Sequence, residues 1–272
     1  MIKGFQNLHA HTTYCDGALS AEKMVKAAIL QGGGSIGFSE HSYVVFDEEY
    51  SMMPDDTPAY IKEVNDLKQK YKGTIDIYLG LEMDYFTDKA PEGLEYIIGA
   101  THHVEKEGQF ITIDGWAEHL ANMNEKHWGG DYYAMAESYY ETISTLAVKT
   151  NADIIGHYDL IVKNNVNGSM LDETHPRYIN AAIKAMEQIL ETCKIFEVNT
   201  GAMFRRGTSK PYPSEFLLKE LQKRGGEVII SGDSHAAESI YFKFHEMIEF
   251  VKSCGFKSIK KLTETGFIDQ KI

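Results

Sequence analysis

Short apolar runs alternate with stretches of helical periodicity along most of this chain. The strand-like runs are Phe5–His9, Ser35–Ser39, Ile75–Leu81, Tyr96–Ala100, Ile154–Gly156, Ile195–Asn199 and Glu227–Ile230. Between them, Ala21–Gln31 reads as a helix with Ser20 as N-cap and Gly32 just past its end. Arg177–Thr192 follows Pro176 and sets Ile179, Ala182, Ile183, Met186, Ile189 and Leu190 on one face. Glu215–Arg224 is opened by Pro213-Ser214 and closed by Gly225-Gly226. Strands alternating with helices imply βα units and a parallel sheet. Seven such strands suit a closed or distorted α/β barrel better than a doubly wound sheet. The stretch 105–150 is too long for an ordinary connection and carries Trp116, Trp128 and tyrosine pairs at 132–133 and 139–140. It predicts extra helices over the barrel mouth, either a lid or simple packing. With no linker, repeat or low-complexity stretch, residues 1–272 read as one domain.

Composition narrows the class of protein. The apolar fraction, 43%, is that of a globular chain. No apolar run approaches the roughly 20 residues that span a bilayer, and the N-terminal residues do not read as a secretion signal. The three cysteines, Cys15, Cys193 and Cys254, are far apart and lack a CxxC pair, which predicts reduced thiols in a cytoplasm. A formal net charge of −13 disfavours nucleic acid and anionic membranes as partners.

The chemistry lies in where histidines and acids fall. Strand one ends in His9-Ala10-His11, with Asp16 shortly beyond; strand two gives Glu40-His41 and strand three Glu82. Strand four is followed by His102-His103, strand five by His157-Tyr158-Asp159, and strand seven by Asp233-Ser234-His235. Active sites of α/β barrels are assembled on that face, from the ends of several strands. Imidazole with carboxylate suits zinc, iron or manganese. Histidines two apart on a strand face one side, and a carboxylate such as Glu82 can bridge two ions about 3.5–4 Å apart, the two-metal geometry of phosphoester hydrolysis. Any one motif alone would more often be structural; the shared strand-end register is what points to a site. Cys15 reads as a small filler, and His119, His127, His175 and His245 as surface or packing residues. No Walker loop, GxGxxG or Ser-His-Asp order appears.

The succession HxH, EH, GxExD, GxxH, GHxD, GDSH resembles the metal motifs of the polymerase-and-histidinol-phosphatase superfamily, from His9 to His235. The wording GFSEHS at 37–42, GLEMDYF at 80–86, GHYDL at 156–160 and EVNTGAMFR at 197–205, with KPYPS at 210–214, is similar to its monofunctional histidinol-phosphate phosphatases. The resemblance implies a distorted seven-stranded βα barrel of TIM type with three divalent ions. His9, His11, Glu82 and Asp233 would hold the first ion. Glu82 would bridge to a second, held also by His102 and His157, and Asp16, His41 and His235 would take the third. The GxxH spacing selects His102, leaving His103 as a substrate-facing group, a support for the ligands or only a neighbour. The matching basic positions imply phosphate contacts from Arg205 and Lys163, with Arg206 as the alternative to Arg205.

The implied activity is hydrolysis of L-histidinol phosphate, in L-histidine biosynthesis, by metal-bound hydroxide. Asp159 is one candidate for the acid that protonates the leaving group, and no covalent nucleophile is evident. Glu40 and Asp159 are also expected to support ligating imidazoles. The rivals are another phosphoesterase of the superfamily, acting on nucleoside monophosphates or nucleic-acid ends, and a non-catalytic metal-binding domain.

Overall fold

In the computed structural model, which describes residues 4–272, seven parallel strands form a nearly closed barrel. They are β1 (Gln6–Asn7), β2 (Ser35–Phe38), β3 (Asp76–Asp84), β4 (Tyr96–Ala100), β7 (Ile154–Ile155), β8 (Ile195–Asn199) and β9 (Glu227–Ser231), hydrogen-bonded in that order. A hairpin, β5 (His103–Lys106) and β6 (Gln109–Thr112), leaves the barrel after β4, and another, β10 (Ser258–Thr263) and β11 (Gly266–Lys271), ends the chain. Each expected strand forms; β1 is trimmed and β3 extended by several residues, and the others match to within one. β1 keeps only two residues; beyond it Ala10 O still accepts from Ser39 N at 3.0 Å, while His9 to His11 also bond across to the end of β9.

The contact with β9 makes the seam. Ala10 pairs with Ser234 in a single parallel bridge, with His11 N–H donating to Ser234 O at 2.9 Å and Ser234 N–H to His9 O at 3.0 Å. Elsewhere along the seam the Asn7 side chain replaces the missing ladder: its Oδ1 accepts from Gly232 N and His9 N, and its Nδ2 donates to Ser234 Oγ.

Inside the barrel, Leu8, Tyr78, Tyr96, Ile98, Ile154, Ile195 and Ile229 form an apolar plug, joined by Leu262 of the terminal hairpin. The Tyr96 ring lies across Gly37 and Gly80, where a Cβ would come within 2.4 Å and 2.2 Å of it, so those positions admit no side chain. Its hydroxyl donates to the carbonyls of Leu8 (2.5 Å) and Phe38 (3.0 Å), so this buried O–H is satisfied.

Helices cover the outside. The three expected ones appear as α1 (Ala21–Leu30), α6 (Pro176–Leu190) and α8 (Glu215–Lys223). Before α6 in sequence, α2 (Thr57–Lys70) lays Tyr60, Val64 and Leu67 on the barrel wall, with a proline in its first turn. The segment 105–150 is not all helix. It opens with the hairpin, whose tip residues Glu107 and Gly108 both have positive φ (54° and 76°), the signature of a tight two-residue turn. Then come α3 (Ala117–Trp128), α4 (Tyr132–Ile143) and α5 (Leu146–Thr150). The set closes with α7 (Gly201–Arg206) and α9 (Phe244–Ser253). No helix among the described residues is long and apolar enough to cross a membrane.

Candidate metal centre

Strand alternation aims the site residues. His9 and His11 flank Ala10, whose side chain packs in the apolar cluster with α1, so both imidazoles enter the barrel mouth and both are fully buried. His41 follows β2, Glu82 lies within β3, His102 follows β4, His157 follows β7, and Asp233 and His235 follow β9. Asp233 takes a left-handed backbone, φ 45°, which an aspartate tolerates better than a branched residue would.

Glu82 sits at the centre. Its Oε2 lies 2.7 Å from His41 Nδ1, 3.2 Å from His9 Nε2 and 3.6 Å from His11 Nε2. Its Oε1 lies 2.8 Å from His157 Nε2 and 3.5 Å from His102 Nε2. Asp233 Oδ1 stands 3.5 Å from His11 Nε2 and 3.8 Å from His9 Nε2. Asp16 completes the outer side, 3.1 Å from His235 Nε2 and 3.7 Å from His41 Nε2. All nine residues expected as ligands are thus gathered in one mouth.

Burial opposes charge on Glu82, yet His41 and His9 hold it well below the usual carboxylate range. Burial likewise opposes a charged His41, but Glu82 and Asp16 raise it to about 9. His11 goes the other way, down to about 3, through burial and the neighbouring His235 and His41. His9 Nε2, His11 Nε2, His41 Nδ1 and Glu82 Oε2 are buried without a partner in hydrogen-bond geometry, although several lie close together. Bare nitrogens converging on bare carboxylate oxygens are what divalent cations bind, and this mixed donor set suits zinc, iron or manganese. Among the described residues four overlapping groups could hold an ion, each with its ligand atoms within 4.8 Å: His9, His11 and Asp233; His11, Asp16, His41 and His235; His41, Glu82 and His102; and His11, Cys15 and Glu40.

The supports of these imidazoles differ from expectation. Glu40 and His41 are adjacent on one strand end, so they face opposite ways. Glu40 is buried under the 12–16 loop, accepting from Thr12 N and Cys15 Sγ, and binds no imidazole directly. Asp159 accepts from Ser214 N at 2.9 Å rather than from His157, and burial pushes it up to about 7. Two other acids do contact ligand rings. Asp84 Oδ2 lies 3.1 Å from His102 Nδ1, and Glu197 Oε1 lies 2.5 Å from His9 Nδ1. Both stand in motifs noted above, without a role assigned. Glu197 had a legible signal: a lone charge inside the apolar strand Ile195–Asn199.

The centre opens into a cleft of about 650 Å³. Arg205, on α7, forks onto Asp233, with one nitrogen 2.9 Å from Oδ2 and the other 2.7 Å from its carbonyl oxygen. Lys163 lines the same cleft and is paired with Asp114. Arg206 also lines it but donates to Asn164 Oδ1. His103 is buried, its Nε2 3.0 Å from Asp47. At the rim Trp116 is 88% exposed. Asp159 lines a neighbouring cavity that shares Lys163 and Tyr212 with the cleft.

A protein of Schizosaccharomyces pombe named "Probable histidinol-phosphatase" is 27% identical over 263 residues, covering 88% of this chain and 82% of its own. The histidinol-phosphatase of Lactococcus lactis is 25% identical, with coverages of 93% and 91%. The fold matches a crystal structure of L. lactis histidinol phosphate phosphatase complexed with zinc, L-histidinol and phosphate, with a TM-score of 0.68, 22% identity and coverage of 97% and 98%. The PHP domain family matches residues 7–201. With that match spanning the strands that carry His9 to His157, this chain belongs to the PHP domain family.

Proposed function

We propose that this chain is a histidinol-phosphate phosphatase, hydrolysing L-histidinol phosphate to L-histidinol and phosphate in L-histidine biosynthesis in the cytoplasm. The observation that carries the reading is the cluster of six imidazoles and three carboxylates around Glu82, opening on a cleft lined by Arg205 and Lys163. The relatives' names and a similar fold holding zinc, histidinol and phosphate support the substrate.

Three ions fit the reading: one on His9, His11, Glu82 and Asp233; a second on Glu82, His102 and His157; a third on Asp16, His41 and His235. Bound there, divalent ions would supply an activated water and neutralise charge on the phosphate. The protein's own part is to hold and orient. Glu82 presents one oxygen to each half of the cluster. Arg205 offers a planar fork and Lys163 a point charge to the phosphate oxygens. His103, which lines the cleft beside Tyr50, would face the substrate. Asp159 is the candidate proton donor to the leaving alkoxide, but it lines the neighbouring cavity rather than the cleft, so its proton would have to be relayed rather than given directly. Asp159→Asn should slow histidinol phosphate but spare p-nitrophenyl phosphate, whose leaving group needs no proton.

The cleft rim also admits a second substrate class. The bare indole of Trp116 on the cleft rim can stack on a purine as well as on an imidazole. Turnover of L-histidinol phosphate, AMP and p-nitrophenyl phosphate by the zinc- or manganese-loaded protein separates the readings. Preference for histidinol phosphate supports the proposal, preference for AMP replaces it, and no turnover of any leaves only a metal-binding domain.

A further inference from the structure

β8 is the one barrel strand whose end carries none of the nine expected ligands, yet it holds a fully buried carboxylate, Glu197. That carboxylate lies on the far side of the His9 ring from Glu82, since His9 turns Nδ1 to one and Nε2 to the other. We infer that Glu197 is a positioning residue for the metal centre, fixing the proton of His9 on Nδ1 so that Nε2 is bare toward an ion.

The case is a count of donors. Glu197 Oε2 lies 2.8 Å from His157 N and 2.9 Å from Asn199 Nδ2. The first is a backbone N–H and can only donate. The second must be an amide nitrogen, because the other end of the Asn199 side chain accepts from Gly201 N at 2.8 Å. Glu197 Oε1 faces the Ser231 hydroxyl and His9 Nδ1. Two N–H donors on Oε2 and the Ser231 hydroxyl on Oε1 suit an ionised carboxylate and leave one lone-pair site, the one that faces His9 Nδ1. An ionised Glu197 can only accept from His9, so the ring hydrogen sits on Nδ1. The opposite tautomer would point an N–H at Glu82 and Asp233, where a cation belongs.

The same carboxylate reaches two further ligand residues. It anchors His157 through that residue's backbone N–H, and Asn199, held by Glu197, also donates to Asp233 Oδ2 at 3.2 Å. One side chain thus ties β1, β7, β8 and β9 together directly beneath the ligands.

The inference rests on the metal-centre reading but not on the substrate, and its test uses none. Full-length protein labelled with 15N-histidine and loaded with zinc is examined by NMR, the His9 signals being assigned by their loss in His9→Gln. A protonated Nδ1 with a zinc-ligated Nε2 is expected; a bare Nδ1 overturns the assignment whatever any variant does. Zinc affinity is then measured by chelator competition. Glu197→Gln cannot accept four donors and should bind zinc roughly ten- to a hundredfold more weakly. Ser231→Ala removes one donor from the same oxygen without touching His9 and should bind zinc nearly as the parent does. Parental zinc affinity in Glu197→Gln, or an equal loss in Ser231→Ala, refutes the role. If Glu197→Gln does not fold, the NMR result on the parent decides.

Discussion

Among single side chains, Glu82 and Asp159 make opposite use of burial. Glu82 has five imidazoles within 3.6 Å, of which His41, His9 and His157 hold it ionised, so removing it strips both halves of the cluster of their common acceptor. Glu82→Ala should therefore lose most of its bound zinc and nearly all turnover, read by elemental analysis and phosphate release. Full activity in that variant would remove the basis for shared coordination. Asp159 has no such company, and burial lifts it from an ordinary 3.8 to about 7. Because the folded value is raised, its contribution to stability is complete below about pH 3.8 and is lost as pH rises through about 7. Asp159→Asn keeps the acceptor for Ser214 N–H but cannot ionise. Between pH 5 and pH 8 the parent should lose more melting temperature than this variant, and parallel curves would show that Asp159 titrates normally. At this scale the ligands were legible because strand-end register places them. The partners of their rings were not, because a hydrogen bond such as His9 to Glu197 joins positions 188 apart and leaves no local pattern.

Elements were legible to the extent that their periodicity was local. β2 and β8 appear nearly where the apolar runs place them, and α1, α6 and α8 lie within a residue or two of their caps. The opening of the 105–150 segment resists such reading. Its hairpin is short, alternates only weakly and depends on two left-handed residues, one of them a glutamate. α7 is legible only as a function. Six residues long, it exists because Gly201 leaves room for the Asp233 carboxylate and the Arg205 guanidinium, both within 3.0 Å of where a Cβ would stand. Arg205, near its end, is thereby carried to the cleft. Losing a charge-assisted contact to a buried phosphate costs about 1.5–3 kcal/mol, roughly 10–150-fold in kcat/KM. Arg205→Ala and Lys163→Ala should each fall by that much with zinc retained. Parental kinetics in both would move the phosphate contact to Arg206.

On the scale of the whole molecule, the barrel is a ring fastened at one place. Between β1 and β9 the backbone contributes one bridge, and Asn7 fills in with its side chain. The ligand residues straddle that gap, His9 and His11 on one lip, Asp233 and His235 on the other. Ions bound between them would act as a clasp, turning an open strip of strands into a hoop. Ligand binding to the folded state alone adds about 2.7 kcal/mol at a hundredfold excess over Kd. Zinc should accordingly raise the melting temperature, and should slow hydrogen exchange most at the amides of His11 and Ser234, the two that lace the lips together. Uniform slowing across all seven strands would mean that the ring melts as one piece. Selective slowing would mean that the fastening comes undone first, and that stripping the metal unlatches the barrel before it unfolds it.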